Sequence, residues 1–458
     1  MTPVELAAPT HESLARRVSE LMPELKEDLI RLARIPSVAF PGFPQEPMRE
    51  AFDLVVELFR EAGVAGAEPL LLPDTPPIFV GEIPPPDGAP TVLLYAHYDV
   101  QPPGDEKLWR TPPFEPTELD GAIYARGIAD DKSNIIAHVG ALRAYEGKPP
   151  VGIKVVIEGR EEYGSPFDTY PPQDPERFRA DAIVVGDAGN VQPGSPTLTV
   201  ALRGYADVLV EVRTLAGPKH SGDFGGPAPD ALVTLVHALA TLHDERGDVA
   251  VAGLRRKPGG AGTYTEDEFR ALAEVEPGIP LVGTGSVADR LIWGPAITIV
   301  GIDAPPVDGA INAVVPHARA RLNLRVHPEQ DAAEAQAALI CHLAGVMPFG
   351  ISLEATPAVD PGDGFAAQTQ GAGYEAARVA LASAWGSEPL SRAIGGSIPL
   401  VSAFHKAAPS AEILLFGAQD GHCNLHAPNE RVLLDELERA VVAEAGFFRE
   451  YATREEER

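Results

Sequence analysis

Between residues 91 and 189 short apolar runs alternate with a helical stretch, and each apolar run ends on an imidazole or an acid. The runs are "TVLLYAHYDV", "GIKVVIEGREE" and "ADAIVVGDAG", with "SNIIAHVGALRAYEG" between the first two. Each run is too short for a helix and apolar on both of its faces, so it reads as a strand covered on both sides. Covered strands alternating with helices predict an α/β unit with a largely parallel sheet. In a strand, residues i and i+2 share a face, so His97 and Asp99 emerge together at the end of the first run. Open α/β sheets keep their sites at that C-terminal edge.

The 458 residues exceed what one small core organises, so two or more domains are expected. Ahead of the first strand, "THESLARRVSELMPELKEDLIRLARIPSV" has helical spacing with Thr10 or Ser13 as cap, and "MREAFDLVVELFREAG" is a helix stopped at Gly63. After about residue 197 the pattern changes. "TLTVALRGYADVLVEVRTL" and "HARARLNLRVHP" alternate as antiparallel strands do, with helices in "APDALVTLVHALATLHDE" and "EQDAAEAQAALICHLAG". From "GGSIPLVSAFHKA" the first pattern returns and runs to a final helix. The expectation is a first domain in two parts, 1–197 and 394–458, interrupted by an inserted α+β domain over 198–393.

Charge and cysteine content narrow the class. With 37 basic against 66 acidic residues the net charge is −29, which argues against nucleic-acid binding. No stretch approaches the ~18 apolar residues of a membrane span, and the start lacks the basic-then-apolar pattern of a secretory leader. Two cysteines, Cys341 and Cys423, support neither a disulfide framework nor a thiolate metal cluster. A cytoplasmic location is expected, and any metal must be held by His, Asp and Glu.

The strand ends and loops offer such a set. His97 and Asp99 close the first run, and "ARGIADDKSN" brings Asp130 and Asp131 to the start of a helix. "EGREE" brings Glu161 and Glu162, "VVGDAG" brings Asp187, and "GHCNLHAPNE" brings His422 and His426. Singly, His97 reads equally well as a hydrogen-bonded core histidine, "DDK" as a helix cap and Asp187 as a turn residue. Together, adjacent acids at buried strand ends need a counter-charge, and imidazole and carboxylate suit Zn²⁺ or Mn²⁺. Two cations sharing a carboxylate polarise a carbonyl and generate hydroxide, while one free glutamate moves the proton. Other chemistries lack their motifs: no glycine precedes Lys132 as in a P-loop, and neither a G-x-S-x-G elbow nor an H-E-x-x-H is present.

The stretches "LLYAHYDVQP", "WRTPPFEP", "DGAIYARGIADDKSN", "EGREEYGS", "VVGDAG", "HSGDFGGPAPD", "GGSIP" and "HAPNE", in this order, resemble the M20 family of metallopeptidases. That family includes carnosinase-like dipeptidases, carboxypeptidase G-type enzymes, acetylornithine deacetylase and succinyl-diaminopimelate desuccinylase; "HSGDFGG" and "GGSIP" look closest to the dipeptidases. The resemblance implies an α/β catalytic domain carrying a smaller, ferredoxin-like lid that also forms a homodimer. It implies two divalent cations per subunit, Zn²⁺ ahead of Mn²⁺ or Co²⁺. His97, Asp130 and Asp187 would hold one cation, and Asp130, Glu162 and His426 the other. Glu161 would be the general base, and Asp99 would orient His97 through its other ring nitrogen. His220 would stabilise the oxyanion, reaching the partner's site in related dimers. Asn312, Arg325 and Ser397 would bind the substrate's carbonyl or carboxylate. The implied reaction is hydrolysis of the amide in a small peptide with a free C-terminal carboxylate. An N-acyl-amino-acid deacylase, or a non-catalytic binding member of the family, are the alternatives.

Overall fold

The computed structural model describes residues 10–258, 264–396 and 398–456. The principal strands, in chain order, are β1 (Ala65–Leu70), β2 (Ile78–Ile83), β3 (Thr91–His97), β4 (Gly152–Glu158), β5 (Ala182–Val185), β6 (Thr197–Leu202), β7 (Gly204–Arg213), β8 (Ala296–Ile302), β9 (His317–Val326), β10 (Glu354–Pro357) and β11 (Glu412–Leu415). The principal helices are α1 (His11–Ala33), α2 (Glu46–Glu61), α3 (Ser133–Ala144), α4 (Ala231–Leu239), α5 (Ala332–Gly345), α6 (Ala372–Trp385) and α7 (Leu434–Glu456). Two compact units result. One comprises Met1–Val200, Ala367–Ser391 and Ala403–Arg458; the other comprises Ala201–Ala366 and Arg392–Ser402.

The first unit is built on a mixed sheet in the order β1-β2-β4-β3-β5-β11-β6. Its centre, β4-β3-β5-β11, is parallel. The margins are antiparallel, β1 on β2 and β2 on β4 at one side and β6 on β11 at the other. The expected parallel sheet is therefore the middle of a wider mixed one. Val92, Leu94 and Ala96 of β3 join the large core beneath α1, α3 and α7. Tyr95 faces the other way, 5.7 Å from the Phe404 ring, which packs with Phe167 and Phe178. Cover on both faces explains the unbroken apolar runs.

The helices follow their caps. Thr10 Oγ1 accepts the Ser13 amide at 3.2 Å to start α1, and α2 ends just ahead of Gly63. Helix α3 is buried over nearly its whole surface, and Gly140 makes this possible. A Cβ there would lie 2.8 Å from both Leu25 Cδ1 and Val441 Cγ1, so α1 and α7 close directly onto its backbone.

Residues 394–402 lie with the second unit, whereas the sequence reading puts them in the first domain, and residues 367–391 lie with the first unit, whereas it puts them in the insert. The reason is α6: Ala376, Ala377, Ala380 and Leu381 sit in the same core as Ala440, Val441 and Ala443 of α7.

The second unit holds an antiparallel sheet in the order β8-β9-β7-β10. With α4 after β7 and α5 after β9, this is the β-α-β-β-α-β order of a ferredoxin-like unit. One face of the sheet carries Ala206, Val208, Val210 and Val212 of β7, with Ala318, Ala320, Leu322 and Leu324 of β9. These pack on Leu235 and Leu239 of α4 and Leu339 and Leu343 of α5. The opposite face is polar: Asp207 accepts from Asn323 Nδ2 at 2.7 Å and pairs with Arg321 at 2.7 Å. Among the described residues no helix is long and apolar enough to cross a membrane, and both cysteines are free thiols.

Candidate metal centre

The candidate centre lies in the first unit, at the C-terminal ends of its parallel strands. β3 ends on fully buried His97, with Asp99 two residues on. Beyond β4 a short turn presents Glu161 and Glu162. β5 stops two residues before Asp187. The irregular turn Ile128–Lys132, leading into α3, buries Asp130 and Asp131. Beyond β11, a loop returns His426 to the same edge.

Asp130 is the middle of the arrangement. Its Oδ1 lies 3.1 Å from His97 Nε2, and its Oδ2 lies 3.0 Å from His426 Nε2. His426 Nε2 is also 3.2 Å from Glu162 Oε2. Two donor groups share this one residue: His97, Asp130 and Asp187, and then Asp130, Glu162 and His426. In each, one donor atom per residue lies within 4.8 Å of the others. Donors bound at about 2.0–2.2 Å to one cation are themselves about 3–4 Å apart, so both groups fit a divalent ion.

The donor chemistry supports the same fit. The ring nitrogen His97 Nδ1 faces the Asp99 carbonyl at 3.1 Å. With the proton on Nδ1, the Nε2 lone pair points at a carboxylate oxygen, an arrangement that requires a cation or a second proton between them. Without a metal, protons take that part. Hydrogen bonds to Asp130 and Glu162 raise His426 to about 10. Burial would lower His97, but Asp130 and Asp99 outweigh it and hold the ring well above its usual value. Asp130 is held below the carboxylate range because His426 and His97 override its burial. Burial and the charge of Asp130 push Asp187 up to about 6. Burial, and then Asp187, Glu162 and Asp130, drive Glu161 well above the usual value against the pull of His97. A site this crowded with carboxylates is one that bound cations would relieve.

Neighbouring groups hold the donors in place. Asp99 accepts the amides of Glu161 at 3.0 Å and Glu162 at 3.1 Å, while its Oδ1 is 3.4 Å from His97 Nδ1. Its carboxylate thus ties the base and a donor to the end of β3 more closely than it touches the imidazole. Of three further residues in contact with the donors, the sequence reading offers Asp131 without this role and misses the two glutamines. Asp131 accepts the His97 amide at 3.1 Å, Gln101 donates to Glu162 Oε2 at 2.8 Å, and Gln419 donates to Asp187 Oδ1 at 3.1 Å. For Gln101 a signal existed, because it continues the same-face series His97, Asp99, Gln101. For Gln419 there was none.

His426 sits in a strained loop. It has φ +60°, and Asn424 and Asn429 have φ +55° and +65°. Such a backbone costs on the order of 1–3 kcal/mol per residue and persists where its surroundings over-determine it. Here Arg431 pairs bidentately with Asp420, and Asn429 accepts the Arg110 amide at 2.7 Å and donates to Leu108 O at 3.0 Å.

The remaining candidates lie elsewhere. His422 is exposed and belongs to neither donor group. In the second unit, His220 and Asn312 come together: the Ser221 amide donates to the Asn312 carbonyl at 2.9 Å, and His220 pairs with Ala313. His220 is exposed, with Asp223 3.6 Å away. Arg325 is half-buried near the end of β9, and its carbonyl accepts from Arg203 at 3.2 Å. Ser397 lies outside the described residues.

Residues 93–450 match the model of peptidase family M20/M25/M40. The chain is 39% identical over 371 residues to a cysteinylglycine-S-conjugate dipeptidase of Corynebacterium striatum, covering 79% of this chain and 81% of that protein. It is 27% identical over 425 residues to human beta-Ala-His dipeptidase, covering 86% of this chain and 82% of the relative. The solved structure of the dipeptidase Dug1p from Saccharomyces cerevisiae superposes with a TM-score of 0.77 at 21% identity, covering 97% and 99% of the two chains. That last likeness is one of fold.

Proposed function

Since the chain belongs to peptidase family M20/M25/M40, we propose that it is a metal-dependent dipeptidase, cleaving the amide of dipeptides or short peptides with a free C-terminal carboxylate. The observation that carries the reading is Asp130, whose two oxygens face separate donor groups. His97 and Asp187 would complete the holding of one divalent cation, and Glu162 and His426 that of the other, with Zn²⁺, Mn²⁺ or Co²⁺ suited to these donors. When bound, the cations supply Lewis-acid polarisation of the scissile carbonyl and a water acidified towards neutral pH. Glu161 belongs to neither donor group, and its amide is tied to Asp99. It would take the proton from the attacking water and deliver it to the departing amine.

Asn312, Arg325 and Ser397 would receive the substrate's carbonyl and carboxylate, and His220 the developing oxyanion. The second unit would act as lid and as the interface of a homodimer. Its edge strand β8 supports this reading, exposing Ile299, Val300 and Ile302. Free thiols fit a reducing compartment, and we place the protein in the cytoplasm. The test is a panel of dipeptides, Cys-Gly conjugates and β-Ala-His among them, against N-acetyl amino acids, on chelator-treated and metal-supplemented protein. Metal-restored release of free amino acids from the dipeptides is expected. Turnover confined to the N-acetyl compounds, or indifferent to metal removal, would overturn the proposal.

A further inference from the structure

Glu430 is fully buried, and its carboxylate is filled on both sides. Oε2 accepts from Arg126 Nη1 at 2.6 Å and from the Gly127 amide at 3.0 Å. Oε1 accepts from the amides of Ala129 at 3.0 Å and Asp130 at 3.1 Å. One side chain therefore holds the turn that carries Asp130, including the peptide nitrogen of Asp130 itself. The backbone around Glu430 is anchored as well: its carbonyl accepts the Ala125 amide at 3.1 Å, continuing the pairing of Arg431–Leu433 with Ala122–Tyr124. Glu430 lies four residues after His426, so this knot joins the loop of one donor to the turn of another from the far end of the chain.

A carboxylate present only to neutralise Arg126 would need only that ion pair. Three of its four donors are instead backbone amides of the Asp130 turn. That turn is not regular helix: Asp130 and Asp131 have non-helical backbone angles, and Gly127 has φ +76°.

We infer that Glu430 is a positioning residue for the two-cation centre, holding residues 127–130 in the arrangement that turns the two oxygens of Asp130 towards opposite donor groups. The inference rests on the metal reading above. Glu430→Gln keeps the shape but sets an NH₂ group against N–H donors. Because Asp130 belongs to both donor groups, both cations should bind more weakly, by roughly 10–100-fold, the range for partners that orient ligands.

The test is titration of chelator-treated wild type and Glu430→Gln with Co²⁺ alone, reading visible absorption for coordination and calorimetry for affinity. The expected result is two equivalents bound by the wild type, weaker binding of both by the variant, and a changed absorption envelope. The double variant Arg126→Met/Glu430→Gln removes both buried charges and serves where the single variant does not fold; it should bind just as weakly. Amide exchange on the metal-free wild type needs no variant: Gly127, Ala129 and Asp130 should already be protected before Co²⁺ is added. Wild-type affinity and spectrum in either folded variant would overturn the inference, as would amides protected only after metal addition. A wild type that binds no cation would instead sink the metal reading.

Discussion

Replacing Asp99 by asparagine separates two accounts of why a His-x-Asp pair ends β3. If the carboxylate chiefly orients the imidazole, the loss should appear at the cation held by His97. The distances favour the other account. His97 Nδ1 is 3.1 Å from the Asp99 backbone carbonyl, which asparagine keeps, and 3.4 Å from the carboxylate. The carboxylate's shorter contacts are with the amides of Glu161 and Glu162. Asparagine can accept one of these and must present its NH₂ group to the other. One hydrogen bond to a charged acceptor, worth about 1.5–3 kcal/mol, is lost, and a buried N–H is left facing a donor. A total near 3 kcal/mol corresponds to roughly 100-fold if it falls on the catalytic geometry. The expected result is a kcat/KM for a dipeptide lower by about that factor. Calorimetric titration with Co²⁺ should show the weaker affinity confined to one of two equivalents, that held by Glu162 and His426. An unchanged kcat/KM, equal weakening of both equivalents, or weakening confined to the equivalent held by His97 and Asp187, would refute the reasoning.

Glu161→Gln should retain both metal equivalents by elemental analysis while kcat falls by roughly 10²–10⁴-fold, the usual contribution of a general base. Chelation should lower the melting temperature in differential scanning calorimetry, because the crowded carboxylates lose their counter-charge, and re-addition of Zn²⁺ or Mn²⁺ should restore it. Gly127→Ala should cost both stability and metal affinity, because the residue has φ +76° and its Cβ would come within 2.0 Å of Val100 Cγ1. His327, fully buried in the second unit, is lowered to about 4 by its burial and by Arg255, Lys257 and Arg203. The unfolded chain therefore takes up a proton below about pH 6.5 that the folded state refuses until about pH 4, so stability falls as the pH drops through that window. Urea unfolding of His327→Gln against wild type checks this, the variant showing the shallower slope below pH 6.5.

What was legible in the sequence follows from the cost of burial. A charged residue at the end of an apolar run is expensive unless something compensates it, so His97, Asp130, Glu162 and Asp187 advertise a site through their setting. Their convergence could be argued because parallel strands put their C-terminal ends on one edge. The margins of the sheet carried no such mark. β1, "AGAEPL", has neither alternation nor a long apolar run, and only its pairing with β2 makes it a strand. Residues 367–391 were misplaced for a similar reason. The alanine face of α6 suits any helix–helix contact, and its choice of α7 over the inserted unit is a tertiary fact.

The site's supports divide along the same line. Gln101 and Gln419 are neutral and cheap to expose, so beyond the same-face series that Gln101 continues, nothing in their local setting asks for a partner. Glu430 is a charge, but it follows His426 and Asn429 in "HAPNE" and reads there as one more polar loop residue. Its function exists only once the turn at 127–130 is folded around it. Ligands are thus visible by chemical type, whereas groups that aim them from a distance in the chain, such as Gln419 and Glu430, become visible only as hydrogen bonds. Substitutions at Asp99 and Glu430 therefore test the structure more severely than substitutions at the donors, whose loss any two-cation arrangement would register.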